Sequence, residues 1–165
     1  MDKQNQATSY EERVVLYLKE KGLHISFAES CTGGLACASL VSVSGSSSVL
    51  NESYVTYANE SKIKLLGVKK ETIESFDVVS EEVAREMAQG VARASGAEIG
   101  VGVTGIAGPD GGTPEKPVGT VCFGFFINGK LDSKTVNFGS IGRNEVRQEA
   151  SKYIFRALEC LLNQD

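Results

Sequence analysis

The hydrophobic and polar positions of the chain change period several times, which predicts helices and strands in alternation. An apolar stripe with helical spacing begins after Ser9, which forms a capping box with Glu12, and it stops at Gly22. The apolar run "LHISFA" (23–28) predicts a buried strand. The next letters, "SCTGG", predict a turn that leads into a helix over 34–43.

The middle of the chain repeats this order. "SYVTYA" (53–58) alternates like a second strand, and Asn59 is predicted to cap a short helix that ends at Gly67. Ser80 opens the best-marked helix, which has acidic residues in its first turn and stops at Gly96.

The last third of the chain predicts a strand, a long loop, a hairpin and a helix. "EIGVGV" (98–103) is the strand, and a loop with proline and glycine covers 104–119. Asn128-Gly129 lies between two apolar runs and is a strong hairpin signal. A final helix is predicted over 143–162. Alternating helices and strands predict an α/β fold, with a sheet covered on both faces and an antiparallel hairpin near its end.

Composition and charge limit the possible functions. The 165 residues predict a single domain, 1–165, with its core at about 9–162. Hydrophobic residues make up 41% of the chain and charged residues 23%, as in ordinary globular proteins. The net charge is −4 and no basic run occurs, so we expect no nucleic-acid partner.

Neither a membrane nor a metal is expected. No apolar segment approaches the length of a membrane span, and the N-terminus lacks a signal-peptide pattern, so a cytoplasmic location is predicted. The four cysteines have no C-x-x-C spacing and His24 is the only histidine, so no zinc site is expected. Reduced, mostly buried thiols are predicted instead.

The segment "ESCTGG" places three reactive side chains before two glycines. Such a turn at a helix start can offer backbone amides to an anion. The segment alone favours structural roles: Ser30 or Thr32 as a helix cap, Cys31 as a small core residue, and Glu29 as the acid of a salt bridge.

The segment "TYANESK" supplies a possible base for a nucleophile. Lys62 falls in the first turn of a predicted helix, where the helix dipole disfavours an ammonium, and burial would further favour its neutral form. A neutral lysine beside a serine forms a base–nucleophile pair, in which Tyr57 could relay a proton or orient either partner. A solvated lysine and a packed tyrosine are the structural alternative.

The glycine patterns of the chain do not predict a nucleotide-binding loop. "GVGVTG" (100–105) matches G-x-G-x-x-G, but proline and more glycine follow it where a dinucleotide fold needs a helix. No glycine cluster ends in the Gly-Lys-Ser/Thr step of a P-loop. The long loop after Thr104 is either a mobile crossing or, as its length favours, part of a site.

Three segments together resemble one protein family. They are "AESCTGG" (28–34), "TYANESKIKLLGV" (56–68) and "GVTGIAGPDGGTPEKPVGTV" (102–121), and "VSEEVAREMA" and "GRNEVR" (142–147) lie in the same order. The chain from about residue 9 to 162 closely resembles the C-terminal domain of the CinA (competence/damage-inducible) family. The resemblance implies a three-layer α/β/α sandwich with a mixed, mostly parallel sheet.

The resemblance also implies an activity, the hydrolysis of nicotinamide mononucleotide to nicotinate mononucleotide and ammonia in pyridine-nucleotide salvage. It assigns the nucleophile to Ser30 and its activation to Tyr57 and Lys62. No cofactor is implied, and we expect a homo-oligomer. The expected substrate-binding residues are Cys31, Thr32, Gly33, Gly34, Asn59, Thr104, Gly105 and Arg143.

Two alternatives stay open at the level of sequence. Cys31 is a rival nucleophile, because thiolates also attack amides. The domain is otherwise a non-catalytic module that senses a nucleotide or binds a partner. The phosphate of the substrate is expected either at a helix N-terminus or against Arg143.

Overall fold

A computed structural model of the protein describes residues 8–164. A five-stranded sheet lies at its centre, in the order β2-β1-β3-β4-β5. β1 pairs in parallel with β2 and β3, whereas β3–β4 and β4–β5 are antiparallel, so four of the five strands share one direction. The strands are β1 (Ile25–Glu29), β2 (Tyr54–Val55), β3 (Ile99–Gly105), β4 (Thr120–Ile127) and β5 (Lys130–Asn137).

Helices cover both faces of the sheet, as predicted. α1, α2 and α6 pack on one face, with Phe27 of β1 in their core, and Ala28 faces the opposite layer of α3, α4 and α5. Side chains of adjacent strand residues point to opposite faces, so β1 contributes to both cores. The helices are α1 (Tyr10–Lys21), α2 (Leu35–Val41), α3 (Asn59–Leu66), α4 (Lys70–Phe76), α5 (Glu81–Ser95) and α6 (Arg143–Leu162).

Most of the predicted elements are confirmed, including the capping box at Ser9 and the final helix. Asn128 and Gly129 both have positive φ angles, as a tight hairpin requires. Three details were wrong. β2 has only two residues, α4 was missed, and Asn59 does not cap α3, because the cap residue is Ala58 and Asn59 is the first helical residue.

The glycines of "GVGVTG" have a packing role. A Cβ on Gly100 would lie 2.0 Å from the Ala88 carbonyl oxygen, and one on Gly102 would lie 2.3 Å from that of Ala84. α5 therefore rests directly on the backbone of β3, which no side chain at these positions would permit. As predicted, no helix follows the pattern, since β3 leads into the loop 106–119.

Candidate active site

The carboxyl ends of the three parallel strands meet at one edge of the sheet, where open α/β folds place their ligands. Ser30 directly follows β1, Tyr57 follows β2 by two residues, and Thr104 is the penultimate residue of β3. A cavity of about 200 Å³ lies at this edge. Its walls are formed by Ser30, Cys31, Tyr57, Asn59, Lys62, Val78, Val79, Thr104, Gly105, Ala107 and Arg143.

Ser30 and Lys62 contact each other in this cavity. The Lys62 Nζ lies 3.0 Å from the Ser30 Oγ, although 32 residues separate them in sequence. The same nitrogen donates to the carbonyls of Thr56 at 2.7 Å and Tyr57 at 3.1 Å. A neutral amine has two N–H groups and one lone pair, so the two carbonyls occupy its donors and leave the lone pair facing Ser30.

Burial changes the acidity of Lys62, which is 1% exposed. Desolvation disfavours the ammonium and lowers the pKa of Lys62 from 10.5 to about 8. Within the described residues, no carboxylate forms an ion pair with Lys62 that would favour its ammonium form. Near neutral pH an appreciable fraction of Lys62 is therefore uncharged, as a general base must be.

Tyr57 contributes to the site through both its backbone and its side chain. Its carbonyl accepts the Lys62 hydrogen bond, and its hydroxyl accepts a hydrogen bond from the Arg143 Nη2 at 2.9 Å. The Nη1 of Arg143 donates to the Gly108 carbonyl at 2.7 Å, which ties the long loop to the start of α6. The phenol therefore contacts the arginine, whereas the lysine is oriented by the peptide group.

Exposure divides the cavity into a floor and a rim. Lys62, Thr104 and Cys31 are buried, whereas Tyr57, Asn59 and Arg143 are exposed at its mouth. Thr104 Oγ1 donates to the Val78 carbonyl at 3.1 Å. Of the predicted binding residues, Cys31, Asn59, Thr104, Gly105 and Arg143 line the cavity, and Thr32, Gly33 and Gly34 do not.

The amides at the start of α2 are not available to an anion. The Glu29 carboxylate accepts hydrogen bonds from the amides of Gly34, Ala36 and Cys37, at 2.8 to 3.1 Å. Gly34 is the cap residue of this helix, and the Glu29 carboxylate, in a residue that is 1% exposed, takes the capping role that the Gly34 side chain cannot supply. The interpretations of Ser30 or Thr32 as caps and of Glu29 as the acid of a salt bridge were wrong, and so was an anion site on the α2 amides.

We expect Glu29→Gln to lower the free energy of unfolding by about 2 kcal/mol or more, because a buried carboxylate that accepts three amide hydrogen bonds is replaced by a group with a single acceptor oxygen. Denaturant unfolding followed by circular dichroism measures this change. Glu12→Gln is the matched control, since Glu12 accepts a single amide bond in the exposed capping box of α1. Equal losses in the two variants would contradict the capping role of Glu29.

Cys31 is not poised to react. It is 6% exposed, and burial raises the pKa of its thiol to about 12. All four cysteines are free thiols; Cys31 and Cys122 are buried, Cys37 is half-buried and Cys160 is exposed. The thiol of Cys31 stays protonated near neutral pH, whereas the adjacent hydroxyl of Ser30 has a base beside it.

Several residues at the site were not predicted from the sequence. Val78, Val79 and Ala107 form an apolar part of the wall, and Val78 and Val79 belong to the connection between α4 and α5. Arg147 donates to the carbonyls of Cys31 and Thr32. The motif "GRNEVR" contains Arg143 and Arg147, but only the fold shows that Arg147 contacts the turn after β1.

The described residues 8–164 hold no cluster of three or more histidine, cysteine, aspartate or glutamate side chains that could bind a metal ion. Nor does that part of the chain include a helix with the length and apolar character needed to cross a membrane.

Comparisons with known proteins identify the family. A model of the CinA C-terminal domain matches residues 7–162. A CinA-like protein of Kosmotoga olearia is 52% identical over 145 residues, which are 88% of this chain and 35% of that protein. The chain therefore spans about a third of the length of this relative.

Solved structures agree in fold. The competence/damage inducible protein CihA from Agrobacterium tumefaciens is 41% identical, with a TM-score of 0.89 over 93% of both chains. A CinA superfamily protein from Klebsiella pneumoniae is 31% identical, with a TM-score of 0.90 over 94% of this chain and 97% of its own. The chain belongs to the CinA C-terminal domain family.

Proposed function

We propose that this domain hydrolyses the carboxamide of nicotinamide mononucleotide to nicotinate mononucleotide and ammonia. The observation that carries the proposal is the 3.0 Å contact between the Lys62 Nζ and the Ser30 Oγ, made by a lysine whose two other hydrogen bonds go to backbone carbonyls. This arrangement suits a serine nucleophile activated by a neutral amine.

In the first half-reaction Ser30 is acylated. The Ser30 hydroxyl gives its proton to Lys62 as its oxygen bonds to the carboxamide carbon, and the π electrons of the carbonyl move to the oxygen. As the tetrahedral intermediate collapses, the C–N bond breaks and Lys62 returns the proton to the departing nitrogen. Ammonia leaves, and the nicotinoyl group stays on Ser30 as an ester.

Water completes the second half-reaction. Lys62 takes a proton from the water as the water oxygen bonds to the ester carbon. The bond to the Ser30 Oγ then breaks, and Lys62 reprotonates that oxygen. The products are nicotinate mononucleotide and the free serine, so the protein is restored with no cofactor consumed.

The shape of the cavity is consistent with this substrate. A volume of about 200 Å³ with Val78, Val79 and Ala107 in its wall suits one aromatic ring that carries its amide toward Ser30. The ribose phosphate would then lie at the rim, where Arg143 keeps N–H groups beyond the two that are already bonded. With the α2 amides occupied by Glu29, Arg143 is the proposed phosphate ligand.

An ammonia-release assay tests the proposal directly. Purified protein is incubated with nicotinamide mononucleotide, nicotinamide riboside or nicotinamide, with and without a chelator, and Ser30→Ala serves as the blank. We expect ammonia from the mononucleotide in the presence of chelator. Binding of the mononucleotide without ammonia would favour a nucleotide-sensing module instead, and loss of activity on chelation would overturn the metal-free mechanism.

The same proposal includes a cytoplasmic location and a homo-oligomeric state. Light scattering on the eluate of a size-exclusion column measures the mass of the particle in solution. A mass of 17.6 kDa, that of a single chain, would contradict the oligomer.

A further inference from the structure

Arg147 of α6 holds the backbone that follows Ser30, and no step of the proposed chemistry uses it. Its Nε donates to the Cys31 carbonyl at 3.0 Å, and its Nη2 donates to the Thr32 carbonyl at 3.1 Å. Its Nη1 donates to the Asn144 Oδ1 at 3.0 Å. All three guanidinium nitrogens therefore donate hydrogen bonds, and two of them donate to the carbonyls of consecutive residues next to the nucleophile.

These contacts fix the direction of the amides in the turn. The Thr32 carbonyl and the Gly33 amide belong to one peptide group, in which the C=O and N–H bonds point in opposite directions. By donating to this carbonyl, Arg147 directs the Gly33 N–H away from itself. The Gly33 amide donates to the Ser30 carbonyl at 3.1 Å, and the Cys31 amide is the other end of that peptide group.

The Cys31 amide is the unused donor of this turn. It donates no hydrogen bond to another residue within 8–164, and Cys31 is 6% exposed in the wall of the cavity. The Thr32 hydroxyl is also buried without a partner. Buried amides are almost always paired in native structures. An amide without such a partner, directly after a nucleophile, therefore indicates a place for an acceptor that arrives with the ligand.

We propose that Arg147 is a positioning residue that builds an oxyanion site from the Cys31 amide, an inference that rests on the proposed serine chemistry. By donating to the Thr32 carbonyl, the cation polarises that peptide group and makes the Gly33 N–H a stronger donor, which in turn polarises the Ser30–Cys31 peptide group. Arg147 acts on the negative oxygen through the backbone and does not touch the substrate. Its contribution therefore grows as charge develops in the transition state.

Arg147→Met is expected to lower kcat for the mononucleotide by about 10²–10³-fold, as loss of an oxyanion donor does, with KM changed by no more than about threefold. Pyridine-3-boronic acid supplies a second measurement, because its boron accepts the Ser30 Oγ while the serine proton passes to Lys62. The resulting tetrahedral boronate is an anion, and one of its hydroxyl oxygens takes the place of the oxyanion. Calorimetry should show its affinity falling by the same factor as kcat, with the affinity for the product nicotinate mononucleotide unchanged.

Arg156→Met removes a cation from the same helix at an exposed position and should retain wild-type kcat and boronate affinity. Should Arg147→Met fail to fold, Arg147→Gln keeps one donor and is expected to lose at least about tenfold in kcat. Wild-type kcat in the folded variant would overturn the inference. So would equal losses of boronate and product affinity, which would indicate a merely structural role.

The two proposals fail separately in these experiments. If the wild-type protein binds the boronate but releases no ammonia, the proposed substrate is wrong, and the boronate affinities still decide the role of Arg147. If the wild-type protein turns over and Arg147→Met does so equally fast, only the inference about Arg147 fails. Absence of boronate binding by the wild-type protein overturns the oxyanion site itself.

Discussion

Ser30→Ala is expected to lower kcat for ammonia release by a factor on the order of 10⁶, because no other group at the site can form the acyl intermediate. The neighbouring thiol cannot substitute for it, since burial raises the pKa of Cys31 to about 12 and keeps it protonated. Binding of the mononucleotide should persist, since the substitution removes only the hydroxyl group of Ser30. A coupled assay measures the ammonia, and calorimetry measures the binding.

Cys31→Ala is the matched variant, one residue away and similar in size. It is expected to retain kcat within about tenfold of the wild type, with any loss arising from repacking of the buried turn. Intact-mass spectrometry after treatment with a fluorophosphonate adds a measurement that needs no substrate. The wild type and Cys31→Ala should gain one phosphonyl group, and Ser30→Ala should gain none. The reverse pattern would assign the nucleophile to the thiol.

Lys62→Met is expected to lower kcat by about 10⁴-fold while the mononucleotide still binds, because methionine has similar length but no lone pair of comparable basicity to accept the serine proton. The wild-type kcat/KM should rise about tenfold per pH unit below pH 8 and level off above it, since the neutral amine is the active form and its pKa is about 8.

Lys64→Met is the control for this variant, because Lys64 lies on the same helix with its side chain exposed. It should leave kcat and the pH profile unchanged. A kcat/KM profile that is flat between pH 6 and 9, or retained turnover in Lys62→Met, would remove Lys62 from the role of base.

The same titration of Lys62 predicts a change in stability with pH. Between pH 8 and 10.5 the unfolded chain carries a proton on Lys62 that the folded domain has released, so this residue makes the free energy of unfolding rise with pH. The rise amounts to about 3 kcal/mol, and below pH 8 burial of the charge is a constant cost.

Comparison with Lys62→Met isolates this contribution, because groups that do not interact with Lys62 cancel in the difference, and the Cys31 thiol, with its pKa raised to about 12, stays protonated in the folded domain over this range. Urea unfolding at several pH values should show the wild type gaining about 3 kcal/mol relative to the variant between pH 8 and 10.5. A difference that is independent of pH would show that the lysine has an ordinary pKa in the folded domain.

Local sequence signals determined most of the elements of this fold. The capping box at Ser9, the hairpin at Asn128-Gly129 and the last helix depend on neighbouring residues, and they were predicted correctly. α4 was missed because its seven residues bury none of their side chains and therefore leave no apolar stripe. β2 was overestimated because only two residues pair with β1, although the alternating pattern continues on both sides.

The residue types of the site were also visible in the sequence, in "ESCTGG", "YANESK" and "GRNEVR". The sequence could not decide which of these side chains contact one another, or which backbone groups they bind, in the folded chain. Glu29 was interpreted as the acid of a salt bridge, yet its carboxylate accepts hydrogen bonds from the amides at the start of α2, which are the amides expected to bind an anion. No role was predicted for Arg147, yet it donates a hydrogen bond to the carbonyl of Cys31 in the turn after β1.

The sequence by itself therefore determined the helices with clear caps, the hairpin and the family of the chain, because these depend on patterns within a few neighbouring residues or on long ordered motifs. Only the tertiary structure decided that Lys62 is buried against Ser30, and burial is what changes its acidity. Desolvation depends on everything packed around a group, and residues 32 positions apart in the chain reach 3.0 Å only after the sheet and its covering helices have assembled.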